Sequence, residues 1–383
     1  MLSPARMVYR QVIVLIKRTF CLFILLWIGC CTAVYAVDSP TISAASAVLY
    51  DPLSDTLLYE KEASTVRGMA STTKIMTAIV ALEQYDLEQN ISIQRQWCGI
   101  EGSSMYLKAG EQLTVSDLLY GLLLASGNDA AVALAGLHPE GEPGFVAAMN
   151  QKATELGLNN THFDNPSGLD GETHHSTALD LAKLTAYCMK NTVFADIVQT
   201  ESAEIAGRVL SNHNRLLREI GACGVKTGFT KACGRCLISA KEQNGRLLIC
   251  VTLNAPNDWE DHKKLYAYGF SQYSSYDILG AGDCGQCPLI SSEKTSSRLY
   301  CNESFTFWFT QQEREELTLR LCGPRFVYGS VWAGERYGTL QIRLKESVLF
   351  ETPVYFAQTS QETEQSVGLR SLLENYLFRR REP

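Results

Sequence analysis

The sequence predicts an α+β fold, an antiparallel sheet flanked by helices with a second, smaller all-β domain. Three observations carry this reading. Strand-like alternation brackets the first part of the chain, and helical spacing of apolar residues fills its middle. After Gly280, period-two alternation returns with no long helical pattern until the C-terminus. A chain of 383 residues with 46% hydrophobic side chains has material for two domains and a sizeable core.

Residues 1–36 read as a secretory signal peptide. Arg6, Arg10, Lys17 and Arg18 precede the apolar run "FCLFILLWIGCCTAVYA", which closes on Val34-Tyr35-Ala36, small residues at the −3 and −1 positions of a cut after Ala36. An uncleaved anchor is the alternative, since the run approaches spanning length. Either way the body lies outside the cytoplasmic membrane. Without this leader the balance is 30 basic against 41 acidic side chains, which argues against nucleic acid as a partner.

In the body, "SAVLYDP" and "DTLLYEKE" flank a turn of Asp51, Pro52, Ser54 and Asp55 and predict a hairpin. Helices are predicted in "MASTTKIMTAIVAL", "VSDLLYGLLLASGNDAAVALAGL", "GFVAAMNQKATELGL" and "TALDLAKLTAYCMK", each with apolar residues three and four apart. From Gly224 the pattern turns to strands: "CLISAKEQNGRLLICVTLNA" is a hairpin turning at Asn244-Gly245, followed by a helix in "DHKKLYAYGFSQY". Strands, helices, then strands again require a sheet whose first and last strands meet. "SFTFWFT", "LTLRLCG" and "GTLQIRL" place the small β-rich domain at 283–358. In 363–383, Leu369, Leu372, Leu373, Tyr376 and Leu377 form one helical stripe ahead of Arg379, Arg380 and Arg381, which suits an amphipathic helix on an anionic membrane surface or a packed terminal helix.

Lys74 stands in an apolar run, where an amine costs desolvation unless it has a use. Ser71 precedes it by three residues, so a helix start places hydroxyl and amine on one face. A helix N-terminus favours developing negative charge on the serine, and a half-buried lysine loses basicity and can take its proton. Two further motifs follow. Ser126-Gly127-Asn128 interrupts an apolar helical run, and Lys226-Thr227-Gly228 opens the strand-rich region. Ser-x-x-Lys, Ser-x-Asn and Lys-Thr-Gly in this order are the signature of serine enzymes that recognise penicillin.

The body resembles the low-molecular-mass penicillin-binding proteins, the D-alanyl-D-alanine carboxypeptidases. The resemblance rests on "ASTTKIMTA", "SSMYLKAGEQLTVSDLLYGLLLASGNDAA", "LGLNNTHFDNPSGLD", "HSTALDLAKL" and "GVKTGFTKACGRCLISA", and spans roughly Ser43 to Tyr273. It implies a β-lactamase/transpeptidase-like catalytic domain over 37–278 and removal of the terminal D-alanine from peptidoglycan pentapeptide stems. It also implies covalent inhibition by β-lactam antibiotics. Ser71 is then the nucleophile, Lys74 its base and Ser126 the proton relay to the leaving D-alanine. Asn128 binds the peptide amide and orients Lys74, while Lys226, Thr227 and Gly228 form the substrate strand. The oxyanion hole is the backbone N–H of Ser71 and Phe229. No cofactor is implied.

Two departures stand out. Some relatives carry an arginine near the stretch matching "NAPNDWEDHKKL", where this chain has Trp259 and acidic neighbours, so Lys226 and Thr227 are expected to hold the substrate carboxylate without it. Cys233 and Cys236 flank the third motif with no catalytic role. A second C-x-x-C, Cys284 and Cys287, falls in "GAGDCGQC", read as a Gly-rich turn suited to a local disulfide. The six histidines show no metal-ligand spacing, and His174-His175 is read as loop. Other readings remain: a D,D-endopeptidase, a penicillin-acylated sensor without turnover, and a β-lactamase. The last is disfavoured because His162, with no E-x-x-L-N pattern, falls where a deacylating glutamate is needed.

Overall fold

A computed structural model describes residues 39–362; the segments read as signal peptide and as C-terminal amphipathic helix lie outside the described residues. The chain opens with the expected hairpin, β1 (Ser46–Asp51) and β2 (Thr56–Lys61). Two small hairpins, β3 (Asn90–Ser92) with β4 (Gln112–Thr114) and β5 (Ser202–Ile205) with β6 (Arg208–Ser211), lie among the helices. Then come β7 (Val225–Thr230), β8 (Gly234–Gln243) and β9 (Arg246–Leu253). The main sheet runs β2-β1-β9-β8-β7, antiparallel throughout, so the first strands do pair with strands some 200 residues later.

Every residue of β1 is buried, because both faces of the sheet are covered. Val48 and Tyr50 enter the large core with the helices Lys74–Gln84 and Ala178–Cys188, whereas Ala47 and Leu49 face the helix Asp258–Phe270. A strand buried on both faces reads as a continuous apolar run. The β8–β9 turn is tight: Asn244 and Gly245 have φ of 55° and 74°, as a two-residue primed turn requires.

The helix Lys74–Gln84 threads the core, with Lys74 to Ala81 all buried. Burying Ile75, Met76, Ile79 and Val80 stabilises the fold by about 1.5–3 kcal/mol each, which anchors the residues just before it. Val115–Leu123 starts on a capping box between Thr114 and Asp117, and the chain breaks before the next helix, Asn128–Ala135.

Ahead of residue 283, β10 (Ser274–Leu279) pairs with a later strand, β13, in a two-stranded sheet of their own. After it come β11 (Gly282–Ile290), β12 (Ser296–Cys301), β13 (Phe305–Phe309), β14 (Leu317–Cys322), β15 (Val327–Tyr328), β16 (Arg336–Leu344) and β17 (Ser347–Phe356). Six of these form the sheet β14-β16-β17-β12-β11-β15, which packs its own core around Leu299, Ile342 and Val354. It is clasped to the main sheet by Arg246, whose buried guanidinium binds Asp51 of β1 and Glu313 of the short helix Gln311–Glu316, while Tyr273 donates to Asp51.

One expectation fails here. "GDCGQC" is not a turn but the start of β11, where Cys284 is half-buried and Cys287 fully buried. Residues three apart on a strand point to opposite sides, so no local disulfide forms. Cys284 instead meets Cys301 of β12. All ten cysteines among the described residues are free thiols.

Candidate active site

Ser71 sits in a 3-10 turn, Ala70–Thr73, that leads directly into the helix Lys74–Gln84. Ala70 has a φ of 48°, a left-handed backbone that L-residues adopt only where the surroundings impose it. The turn is locked by its threonines: Thr72 donates to the Met69 carbonyl at 2.7 Å and Thr73 to that of Ala70 at 2.8 Å. From this base the Lys74 side chain runs to three oxygens. Its Nζ lies 3.1 Å from Ser71 Oγ, 2.6 Å from Asn128 Oδ1 and in close contact with the Ser167 carbonyl.

Lys74 is wholly buried, and its amine is pushed well below the usual lysine range, first by desolvation and next by the nearby charge of Lys226. The geometry suits a neutral amine. Two of its N–H bonds satisfy Asn128 and Ser167, leaving the lone pair for the Ser71 hydroxyl.

Ser126 and Asn128 come from the break between two helices. Ser126 has a φ of 58°, in the left-handed region like Ala70. Gly127 is required: a Cβ there would stand 2.7 Å from Asp129 Oδ1 and 3.2 Å from the Gly121 carbonyl. Asn128 is oriented at both ends, accepting from Lys74 and donating to the Glu101 carbonyl at 2.6 Å.

The third motif lies on edge strand β7, packed against the Ser71 turn. A Cβ on Gly228 would meet Ser71 N at 3.1 Å and the Met69 carbonyl at 3.2 Å, so glycine permits the approach. Lys226 is buried, donates to the Thr227 carbonyl at 3.0 Å, and is brought down to about 7 by desolvation. Ser71, Ser126, Thr227, Gly228 and Phe229 line one cleft of about 320 Å³. A larger hollow of about 530 Å³ between Ile220, Lys241 and Phe270 lies apart from all three motifs and holds no assembled nucleophile and base.

The three motifs, 155 residues apart from Ser71 to Lys226 in sequence, thus converge on one serine. The family model for D-alanyl-D-alanine carboxypeptidases matches residues 33–257. The chain belongs to this family. As a carboxypeptidase-family chain it is 36% identical over 266 residues to the D-alanyl-D-alanine carboxypeptidase of Streptomyces sp. strain K15, covering 63% of this chain and 91% of that one. It is 30% identical over 327 residues to D-alanyl-D-alanine carboxypeptidase DacF of Bacillus subtilis, covering 81% and 84%. Among solved structures it is similar to penicillin binding protein 5 of Haemophilus influenzae, with a TM-score of 0.62, 26% identity and coverage of 85% and 100%. The Streptomyces K15 DD-transpeptidase superposes with a TM-score of 0.59 at 36% identity, covering 61% and 100%.

This family member carries site residues that the motifs do not announce. His174, read as loop, is buried and reaches Thr73 Oγ1 at 2.7 Å through Nε2, while its Nδ1 accepts from the Asp164 N–H at 3.0 Å. That tautomer braces the Ser71 turn through Thr73, and burial brings its pKa down to about 4. Asp129 accepts from Met105 N, Leu107 N and Ser104 Oγ, holding the loop that brings Ser103 to the cleft. His213 also lines the cleft, its pKa lowered by burial and then by Lys226. The "SGNDAA" stretch contains Asp129, and His174 directly precedes "HSTALDLAKL", but nothing local shows what either one faces.

The region of Trp259 is not without a cation, because Arg235 of β8 enters it, 3.0 Å from Asp258 and 5.7 Å from the Trp259 ring. Among the described residues, no group of three or more His, Cys, Asp or Glu side chains is placed to hold a metal.

Proposed function

We propose that the chain is a serine D-Ala-D-Ala carboxypeptidase that trims peptidoglycan pentapeptide stems through an acyl-enzyme on Ser71. The observation that carries this is the pairing of Ser71 Oγ with the buried, desolvated amine of Lys74 at 3.1 Å. Neutral Lys74 takes the hydroxyl proton as Oγ attacks the carbonyl between the two terminal D-alanines. The oxyanion forms against the backbone N–H groups of Ser71 and Phe229, a reading supported by the close approach of Gly228 to the nucleophile turn. Each such donor contributes about 2.7–4 kcal/mol to the transition state.

Collapse of this intermediate breaks the peptide bond, and the proton held by Lys74 passes through Ser126 to the departing amine. Asn128 holds the stem amide and keeps Lys74 aligned; Lys226 and Thr227, with Gly228, align the substrate along β7. Water then enters and attacks the acyl carbonyl as Lys74 takes its proton, and Lys74 returns that proton to Ser71 Oγ as the ester bond breaks and the shortened stem leaves. Every step uses groups of the chain itself.

The substrate places the enzyme outside the cytoplasmic membrane, as an exported protein cut after Ala36. On this reading 37–278 is the catalytic domain, 283–358 a separate β-rich domain, and the segment 363–383 rests on a membrane surface. Penicillins acylate the same serine. The test is D-alanine release from a muramyl pentapeptide by the mature chain beside a Ser71→Ala variant, with the penicillin adduct located by mass. Release by the intact chain alone is expected. An adduct on Ser71 without any release would make the protein a penicillin-acylated sensor.

A further inference from the structure

The six-stranded sheet joins the rest of the chain through a narrow neck. The pair β10–β13 ends at Leu279 opposite Phe305, and the pair β11–β12 begins at Gly282 opposite Cys301. The chain therefore crosses from one sheet to the other twice, at 279–282 and at 301–305. On one side of the neck Trp308 of β13 packs against the core of Ala47 and Leu49, and the Phe307 ring lies 5.8 Å from the Arg246 guanidinium. On the other side Leu299 and Cys301 enter the core of the six-stranded sheet.

Two thiols meet at this neck. Cys301 is 1% exposed, and its Sγ reaches the Gly280 carbonyl at 3.8 Å and the Glu303 carbonyl at 3.6 Å, one acceptor on each crossing. Cys284 comes to it from β11. The ladder slips between Asp283 and Gly285, so Cys284 is the extra residue of a β-bulge. The β11 residues paired with Leu299 and Cys301 are both glycines, Gly285 and Gly282. A Cβ on Gly282 would meet nothing within 4 Å, and one on Gly285 only Leu321 Cδ2 at 3.9 Å, so room remains in front of Cys301. The Cys284 side chain takes that room and hydrogen-bonds the Cys301 thiol.

Strand neighbours in an antiparallel pair have Cα atoms about 4.5–5.5 Å apart, within the roughly 4.4–6.8 Å that a disulfide spans. Closing a bond between these thiols thus asks for side-chain rotation and no movement of the strands. Cys188 and Cys250 are different: each is wholly buried in an apolar core, where a thiol serves as a small hydrophobe.

We propose that Cys284 and Cys301 are a disulfide-forming pair, closed in the oxidising space outside the cytoplasmic membrane, where the bond staples both crossings of the neck. This rests on the export reading above. The two thiols give up two protons and two electrons as the S–S bond forms. The disulfide of an exported thiol oxidoreductase takes them up and leaves as a dithiol. Cys284 is the point of attack, since it is half-buried and Cys301 fully so. Burial first, and Cys301 next, push its thiol up to about 11, so thiolate is scarce at neutral pH and uncatalysed closure is slow.

The experiment uses the mature chain. Purified protein is equilibrated with reduced or oxidised glutathione at mildly alkaline pH, denatured in N-ethylmaleimide and mapped by peptide mass. The chain isolated from the cell envelope of its host is mapped in the same way. After oxidation two of the ten thiols should escape alkylation, with the Cys284 and Cys301 peptides joined. The oxidised chain should melt about 5–10 °C above the reduced one. Cys284→Ser should abolish that difference, whereas Cys287→Ser should keep both the cross-link and the difference. Benzylpenicillin acylation of Ser71 reports that each form is folded. If all ten thiols alkylate after oxidation, or a different pair is joined, the proposal is overturned. It is overturned equally if the envelope chain begins at Val37 and carries Cys284 and Cys301 as free thiols. If the host keeps the chain in its cytoplasm, the export reading fails, while the glutathione result still decides whether these two thiols pair.

Discussion

Removing the Lys74 amine tests the central step. Lys74→Ala deletes a base that lies 3.1 Å from Ser71 Oγ and leaves the rest of the constellation in place. A positioned general base contributes about 10²–10⁴-fold, or about 3–5 kcal/mol of barrier. The variant leaves Asn128 Oδ1 and the Ser167 carbonyl without their donor, at about 1–3 kcal/mol each. It also relieves the desolvation of a wholly buried amine, so the fold is expected to hold. The assay is Ser71 acylation by a fluorescent penicillin, followed over pH. In the intact enzyme the rate rises as Lys74 loses its proton, along a limb well below the usual lysine range because burial has lowered that pKa. In the variant this limb is lost. Added ethylamine, which fits the emptied space, restores rate in proportion to its free-base fraction. A variant that acylates at an undiminished rate with the same pH limb would refute Lys74 as the base.

Other outcomes follow from the same contacts. Gly228→Ala places a methyl 3.1 Å from Ser71 N and 3.2 Å from Ala70 Cβ, pushing β7 off the nucleophile turn; acylation should fall by about 10²-fold with circular dichroism unchanged. Acid should destabilise the protein before its carboxylates titrate. His174 and His262 are buried neutral with pKa values of about 4 and about 3, so the unfolded chain takes up protons first as pH falls through 6.5. Their stabilisation is complete above that point and is lost toward the folded values, about 4 kcal/mol together by pH 5, measurable by urea unfolding. Arg246→Ala should cost about 3–5 kcal/mol, because Asp51 and Glu313 are left as buried unpaired carboxylates. Adding Asp51→Asn and Glu313→Gln to that variant should recover part of the loss.

Ser71, Lys74, Ser126, Asn128 and Lys226 to Phe229 could be singled out because each sits inside a short motif whose spacing already fixes its local geometry. Asn244-Gly245 likewise announced a turn that the backbone then adopts. One misreading and one omission share a cause. "GAGDCGQC" looks like a turn by composition, yet β12 offers its backbone partners and Leu299 and Cys301 a surface to pack on, so it becomes a strand. His174 does lie in a loop, but its contact with Thr73, 101 residues away, leaves no mark on its own stretch.

What the sequence by itself determined is the chemistry: a serine and a lysine one helical turn apart, an amide and a strand to hold a peptide, and the α+β order that brings them together. These depend on neighbours within a few residues, where covalent spacing and secondary structure are enough. Only the tertiary structure decided how strongly that chemistry is tuned. Burial of Lys74 and its distance from Lys226, the brace of His174, and the arrival of Arg235 beside Trp259 all arise from strands and helices far apart in the chain. Desolvation and Coulomb interactions act through space, so residue order carries no direct record of them.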